Sequence, residues 1–342
     1  MSKERFIEKE DNTSFKTVEI VPILCSTPGN HSTNISLDVS VYRASLAFHG
    51  FHILNEELGD GNYGKVKLAR QGGKDIAVKI INRDSMPNDL AEKFLGREIE
   101  ILREVQHENI VHVLRIFDYP RKVYIFMEFV DRGNLYDFLK VKFRLNESEA
   151  CYFFRQIVSA IKYLHNMEIT HRDLKCENIM LTKNAEVKII DFGFSKRVAP
   201  SEQLSSTFCG STLYAAPEVL KGLPYDPFLY DIWSLGCVLY VMVTGDMPFN
   251  RYNVIKMVED QMNKTFFYPD SIQLSEAFQI LIDSMLEPNI LQRATIIEVE
   301  KSFWLQVNDN CQAPDMDEIV PSQNGKISSS SSDSLGMFSG ID

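Results

Sequence analysis

The sequence predicts an α+β protein of two lobes, a β-rich small lobe followed by an α-helical large lobe. Three observations predict it. Between about residues 52 and 129, short runs alternate apolar and polar residues and one helical pattern interrupts them. Beyond Arg132-Gly133 the apolar residues recur at helical spacing instead. The chain of 342 residues is long enough for two such units and an ample core.

The elements follow in order. "FHILNEELGDG", "GKVKLAR" and "KDIAVKII" read as three strands with short turns between them. In "NDLAEKFLGREIEILREV", Leu90, Phe94, Leu95, Ile99, Leu102 and Val105 fall on one helical face, and Asn88 or Asp89 can cap its start. "VHVLRIFDY" and "KVYIFMEF" supply two more strands and complete a small sheet. "NESEACYFFRQIVSAIKYLHN" reads as a long helix capped by Asn146, with an acid three residues on. "FLYDIWSLGCVLYVMVTG" is apolar on nearly every side, which predicts a helix deep in the large lobe. Residues 1–51 form an N-terminal extension expected to be partly disordered; within it "NISLDVSVYRASLAF" fits a strand or a short helix. Residues 305–342, with "SSSSSDS", read as an acidic, Ser-rich disordered tail. No internal repeat is visible.

Composition narrows the function. The net charge of −11 opposes a broad nucleic-acid surface, which needs clustered Lys and Arg. The tail holds six acids and one base, so it is not a basic amphipathic helix of the kind calmodulin binds. The charged N-terminus is not a signal peptide, Ser2 excludes N-myristoylation, and the apolar run "LGCVLYVMVTG" is too short to span a bilayer. The six cysteines are scattered without a C-x-x-C pair, which favours a reduced, intracellular, cytoplasmic chain over a disulfide framework. The expectation is a monomer that engages neither nucleic acid nor membrane.

Four local signals carry chemistry. In "LGDGNYGKV", Gly59, Gly61 and Gly64, with Val66, sit between two strands, where backbone N–H groups can cover phosphates. A plain hairpin turn fits as well, but a dinucleotide loop would need a helix next. In "IAVKII", Lys79 sits centrally in an apolar strand, so its ammonium needs a partner. Glu98 is a candidate, although it can equally pair with Arg97 or Arg103; an edge-strand Lys79 with its head in water is the other reading. In "ITHRDLKCENIML", Asp173 can accept a hydroxyl proton, Lys175 can steady a transferring phosphoryl group, and the Asn178 oxygen suits Mg²⁺. In "VKIIDFGFSK", Asp191 can supply a second Mg²⁺ contact. Solvated turns explain the last two signals singly. All four in this order, each in the element its chemistry requires, point to phosphoryl transfer.

With these residues in place, and with "DFGFSKR", "TFCGS", "YAAPEVL" and "YDIWSLGCVLYVMV" beside them, residues 52–304 resemble a eukaryotic protein kinase. Within that, they resemble the calcium/calmodulin-dependent-kinase-like group and its testis-specific serine/threonine kinases. The resemblance implies the bilobal protein-kinase fold, with a small lobe at 52–129 and a large lobe at 130–304, and the use of ATP and Mg²⁺. It implies a nucleotide site of Gly59, Gly61, Gly64, Val66, Ala77 and Lys79. Met127 would stand as gatekeeper before Glu128, Phe129 and Val130, whose backbone meets adenine. It implies Asp173 as catalytic base, Lys175 on the γ-phosphate, Lys79 held by Glu98, and Asn178 and Asp191 on Mg²⁺. Asp231 would anchor the catalytic loop, and Glu218 would pair with Arg293 inside the large lobe. Lys175 and Ser211 favour Ser/Thr acceptors in protein substrates.

The same resemblance makes Thr207 the activation-loop threonine, phosphorylated by an activating kinase or by autophosphorylation, with Arg172 and Lys196 as phosphate contacts. A small-lobe contact is missing, because Phe94 stands one turn before Glu98. Of the acids that basophilic relatives use to recognise arginine, Glu177 matches one, while Asn134 and Val241 replace two others; a weak basic preference is expected. Family membership implies a role in male germ cells. The competing expectations are a pseudokinase scaffold and a small-molecule kinase. The intact activation segment opposes the latter.

Overall fold

The computed structural model describes residues 20–22, 34–61, 64–86, 91–199, 204–207, 209–269, 271–308, 310–316 and 327–328. The small lobe is built on one sheet. Its strands are β1 (Ile20–Pro22), β2 (Phe51–Gly61), β3 (Gly64–Gln71), β4 (Lys74–Asn82), β5 (Val113–Asp118) and β6 (Lys122–Glu128). β2 to β6 form an antiparallel five-stranded unit in the order β5-β6-β4-β3-β2, and β1 adds in parallel to the β5 edge. β4 is therefore central, which removes the edge-strand reading of Lys79. Period two then divides its residues between two faces. Ile76 and Val78 join one apolar cluster, whereas Ala77, Lys79 and Ile81 point the other way, toward the cleft.

The outer cluster explains why β4 is apolar on both faces. Helix α1 (Asn34–Phe48) lies over it. "NISLDVSVYRASLAF" is thus a helix, and part of the expected N-terminal extension belongs to the small-lobe core. Tyr42 and Leu46 pack there with Phe51, Phe117, Tyr119, Tyr124 and Phe126. The Tyr42 ring stacks on Tyr119 with centroids 4.1 Å apart. Burial pushes the Tyr124 hydroxyl up to about 12. The predicted interrupting helix also forms, as a π-turn over Ala91–Leu95 that continues into α2 (Gly96–Glu104). Its expected caps, Asn88 and Asp89, lie outside the described residues.

The large lobe is helical: α3 (Leu135–Lys142), α4 (Glu147–Asn166), α5 (Pro217–Leu220), α6 (Pro227–Thr244), α7 (Val254–Met262), α8 (Glu276–Met285), α9 (Ile296–Glu300) and α10 (Phe303–Val307). Asn146 and Glu149 close a reciprocal capping box at the start of α4. α6 is long and apolar enough, by length and composition, to cross a membrane, but 89% of it is buried within the lobe. It is the central core helix. Two short ribbons, β7 (Ile169–Thr170) with β10 (Lys196–Arg197) and β8 (Ile179–Leu181) with β9 (Val187–Ile189), lie where the catalytic chemistry is expected.

The tail departs from the expectation of disorder at its start. α10 extends past residue 304, Trp304 and Leu305 are buried, and Met316 reaches the same core. Trp304 Nε1 donates to Glu147 Oε2 at 2.6 Å, and Arg155 donates to the Leu305 carbonyl, so this segment is fastened to α4. Apolar side chains with a helix to rest on win over the local acidic composition. Farther on, Ile327–Ser328 (β11) pairs in parallel with Gly59–Asp60. The rest of the Ser-rich stretch lies outside the described residues.

Candidate active site

β4 and α2 carry the first half of the site. Lys79 Nζ donates to Glu98 Oε1 at 2.7 Å and to Asp191 Oδ1 at 2.8 Å. Glu98 pairs with Lys79 rather than with Arg97 or Arg103, because its position on α2 faces the sheet and it is buried. Partial desolvation opposes the charge on Asp191, but Lys79 outweighs it and holds the carboxyl down to about 2. Burial likewise opposes the charge on Lys79, and the two carboxylates drive its pKa upward.

Above this pair lies the glycine-rich hairpin of β2 and β3. Gly61 pairs with Gly64, Gly59 with Val66, and Val66 in turn with Lys79. A Cβ on Gly64 would stand 2.4 Å from the Ile80 carbonyl oxygen. That glycine is therefore required by strand packing, whatever the loop binds. Ala77 pairs with Met127, which places both beside the segment joining the lobes. There Glu128 N donates to the His112 carbonyl at 2.9 Å, and Glu128 Oε1 accepts from His112 N at 2.8 Å and meets Lys188 Nζ at 3.1 Å. Val130 follows, buried.

The loop between β7 and β8 carries the other half. Asp231 on α6 accepts from the backbone N–H groups of His171 (2.9 Å) and Arg172 (2.8 Å), and His165 Nε2 lies 3.0 Å from the same carboxylate. Arg172 and Asp191 both have positive φ, near 62° and 63°. These are strained positions that the surrounding bonds must hold. The His171 ring accepts from Asp173 N at Nδ1, so Nε2 carries the proton it donates to the Ile190 carbonyl at 3.1 Å. The imidazole thus ties the Asp173 loop to the strand before Asp191.

Asp173, Lys175, Asn178 and Ser211 converge. Ser211 Oγ donates to Asp173 Oδ1 at 3.0 Å, and Lys175 Nζ reaches Ser211 Oγ at 2.9 Å and Asp173 Oδ2 at 3.1 Å. Asn178 Nδ2 donates to the Asp173 carbonyl at 2.8 Å and to Oδ2 at 3.0 Å. Both amide bonds run inward, which leaves the Asn178 Oδ1 for another ligand. A hydroxyl 3.0 Å from a carboxylate and an ammonium beside it is the arrangement that phosphoryl transfer to an alcohol requires.

The regulatory and substrate-facing candidates fall around this centre. Arg172 is buried; its Nε donates to the Phe194 carbonyl at 2.8 Å and its Nη1 to Ser205 Oγ at 3.4 Å. Its guanidinium thus meets Ser205, to which the sequence assigned no role. Thr207 is held instead through its carbonyl, by the Tyr225 hydroxyl at 2.9 Å. Ser205 and Tyr225 also exchange backbone hydrogen bonds. Nothing local in the sequence signals this pairing of the activation segment with the loop before α6. Lys196 lines a cavity of about 290 Å³ together with Arg97, Glu100, Glu104 and Arg197. Phe94, where a small-lobe phosphate contact is missing, sets its ring against Phe194 at 6.1 Å and links the lobes through apolar contact. Glu177 is largely buried, with Oε2 unbonded, and burial raises its pKa.

The protein kinase domain family model matches residues 52–305. The chain belongs to the protein kinase family. Testis-specific serine/threonine-protein kinase 1 of Mus musculus is 46% identical over 262 residues, covering 75% of this chain and 72% of that relative. Testis-specific serine/threonine-protein kinase 3 of Mus musculus is 40% identical over 256 residues, covering 74% and 95%. NUAK family SNF1-like kinase 1 of Mus musculus is 38% identical over 275 residues, covering 79% and 41%. The kinase's Glu218 and Arg293 form the buried ion pair the family resemblance implies, at 2.6 and 2.9 Å.

Proposed function

We propose that this kinase transfers the γ-phosphoryl group of ATP to Ser and Thr hydroxyls of protein substrates, in a Mg²⁺-dependent reaction. The observation that carries the reading is the hydroxyl of Ser211 held between Asp173 and Lys175, because an acceptor hydroxyl needs the same two partners. Asp173 accepts the proton as the acceptor oxygen attacks phosphorus. Lys175 offsets charge on the transferring group, and Lys79, fixed by Glu98, holds the remaining phosphates. The names of the relatives support Ser/Thr acceptors and a role in male germ cells.

The donor set fits Mg²⁺. Asn178 Oδ1 and the Asp191 carboxylate are hard oxygen ligands, and the Asp191 side chain is 42% exposed to the cleft. Among the described residues no group of three or more His, Cys, Asp or Glu could hold a metal by itself. Two protein oxygens completed by substrate phosphates is the usual arrangement for this ion. Bound there, Mg²⁺ supplies neutralisation of phosphate charge.

The experiment incubates purified protein with labelled ATP, Mg²⁺ and a generic protein substrate, beside Lys79→Met and Asp173→Asn. Label should enter the substrate with the wild type and fall at least 100-fold with either variant, on the scale of losing one main catalytic group. Equal incorporation by all three rejects the reading. We further propose that phosphate on Thr207 raises activity through Arg172 and Lys196. Thr207→Ala should then lower activity, and full activity of the unphosphorylated variant refutes the switch.

A further inference from the structure

Two cysteines far apart in sequence meet in the fold. Cys151 lies in the first turns of α4, and Cys311 follows α10. Both converge on one carbonyl: Cys151 Sγ donates to Asn308 O at 3.7 Å, and Cys311 N donates to the same oxygen at 2.9 Å. The next residue is pinned to α4 as well, with Gln312 N donating to Ser148 Oγ at 3.1 Å. Both cysteines thus meet at the Asn308 carbonyl, and the Cys311 and Arg155 side chains act electrostatically on the Cys151 thiol. Cys151 is buried and Cys311 is partly exposed. The other described cysteines, Cys176, Cys209 and Cys237, are all buried.

We propose that Cys151 and Cys311 are a reversible disulfide site that fastens the C-terminal segment Cys311–Met316 covalently to α4 when a hydroperoxide is the oxidant. The order of events follows from exposure. Cys311 meets the peroxide first. Its thiolate sulfur attacks the O–O bond, giving a sulfenic acid and releasing an alcohol, or water when the oxidant is hydrogen peroxide. The Cys151 sulfur then displaces the hydroxyl group, which leaves as water with the Cys151 proton. Two thiols are oxidised by two electrons and one peroxide is reduced. Cys151 is suited to the second role only, since burial pushes its thiol up to about 12. Arg155 beside it favours the thiolate as it forms. A thiol reductant returns both cysteines.

The surroundings make the bond consequential. The segment already rests on α4 through Trp304 with Glu147 and through Arg155 with the Leu305 carbonyl. A covalent link there closes a long loop, the case in which a cross-link most restricts the unfolded chain.

The test treats full-length protein with a small excess of hydrogen peroxide, blocks free thiols, digests without reduction and maps the peptides. The expected result is one cross-linked pair joining the peptides of Cys151 and Cys311, which disappears with dithiothreitol. The pair should be absent from Cys311→Ser and from Cys151→Ala and present in Cys209→Ser. Cys311→Ser, at the partly exposed position, keeps the comparison available if Cys151→Ala folds poorly. Oxidised wild type should melt several degrees above reduced wild type, and Cys311→Ser should show no such difference. Recovery of Cys151 as a free thiol while Cys311 has advanced to sulfinic or sulfonic acid would overturn the proposal, as would cross-linking to a different cysteine.

Discussion

Removing the Glu218 carboxylate should destabilise the kinase more than any surface substitution. The Arg293 side chain is 0% exposed and Glu218 10%, and two parallel bonds of 2.6 and 2.9 Å join them. Arg293 also donates Nε to the Glu287 carbonyl at 2.8 Å and Nη1 to the Leu229 carbonyl at 3.2 Å, and it lies 4.9 Å over the Trp233 ring. Glu218→Ala leaves those neutral partners in place but strands a positive charge without its bidentate partner and with no access to water. Breaking a buried pair in this way costs about 3–5 kcal/mol. For a domain of this size that is a fall in Tm of roughly 6–20 °C. Glu218→Ala with Arg293→Met removes the charge as well and should recover much of the loss. Urea unfolding of the three proteins measures this, with the midpoint moving and the slope unchanged. A Glu218→Ala unfolding free energy within about 1 kcal/mol of wild type would refute the argument, because exposed pairs are worth that little. A double variant no better than the single would show that losing the Arg293 bonds to Leu229 and Glu287 costs as much as removing the stranded charge recovers.

Three further outcomes follow from the geometry. Tyr42→Ala removes a buried ring stacked on Tyr119 and should cost about 3–5 kcal/mol of stability, as other buried aromatic truncations do, measured by the same urea titration. Gly210 has φ of +89°, and a Cβ there would lie 2.5 Å from the Arg172 carbonyl oxygen. Gly210→Ala should therefore cost at least about 1–3 kcal/mol and lower turnover by shifting the residue before Asp173; unchanged melting and kinetics would contradict this. Asp191 has its pKa lowered from 3.8 to about 2 in the folded chain. A carboxylate depressed on folding adds stability that is complete above the unfolded value and is lost as pH falls through the folded one. Wild type should thus lose more stability than Asp191→Asn between pH 5 and pH 2, in matched denaturant titrations.

The chemistry-bearing residues were legible because each motif is short and its geometry is local. Asp173, Lys175 and Asn178 lie within six consecutive positions, so the loop that carries them fixes their spacing. The Lys79–Glu98 pair was only one of several partners the sequence allowed. Burial of Glu98 against the sheet, a property of how α2 docks, selected it. The activation segment was legible as a Ser/Thr-rich stretch, but its internal bonds were not. Arg172 meets Ser205 and Tyr225 holds Thr207 because a loop after α5 folds back onto the segment.

The sequence by itself determined the lobes, their order and the catalytic residue types, since periodicity and adjacent polar groups act over one or two turns of chain. Only the tertiary structure decided what composition hides. Residues 34–48 became a core helix because the aromatic face of the sheet needed a cover. The start of the acidic tail became ordered because Trp304, Leu305 and Met316 found buried sites. Cys151 and Cys311, scattered in the sequence, share a single carbonyl because α10 and the segment after it return to α4. Burial over long sequence separations depends on which surfaces meet, and no local pattern encodes that.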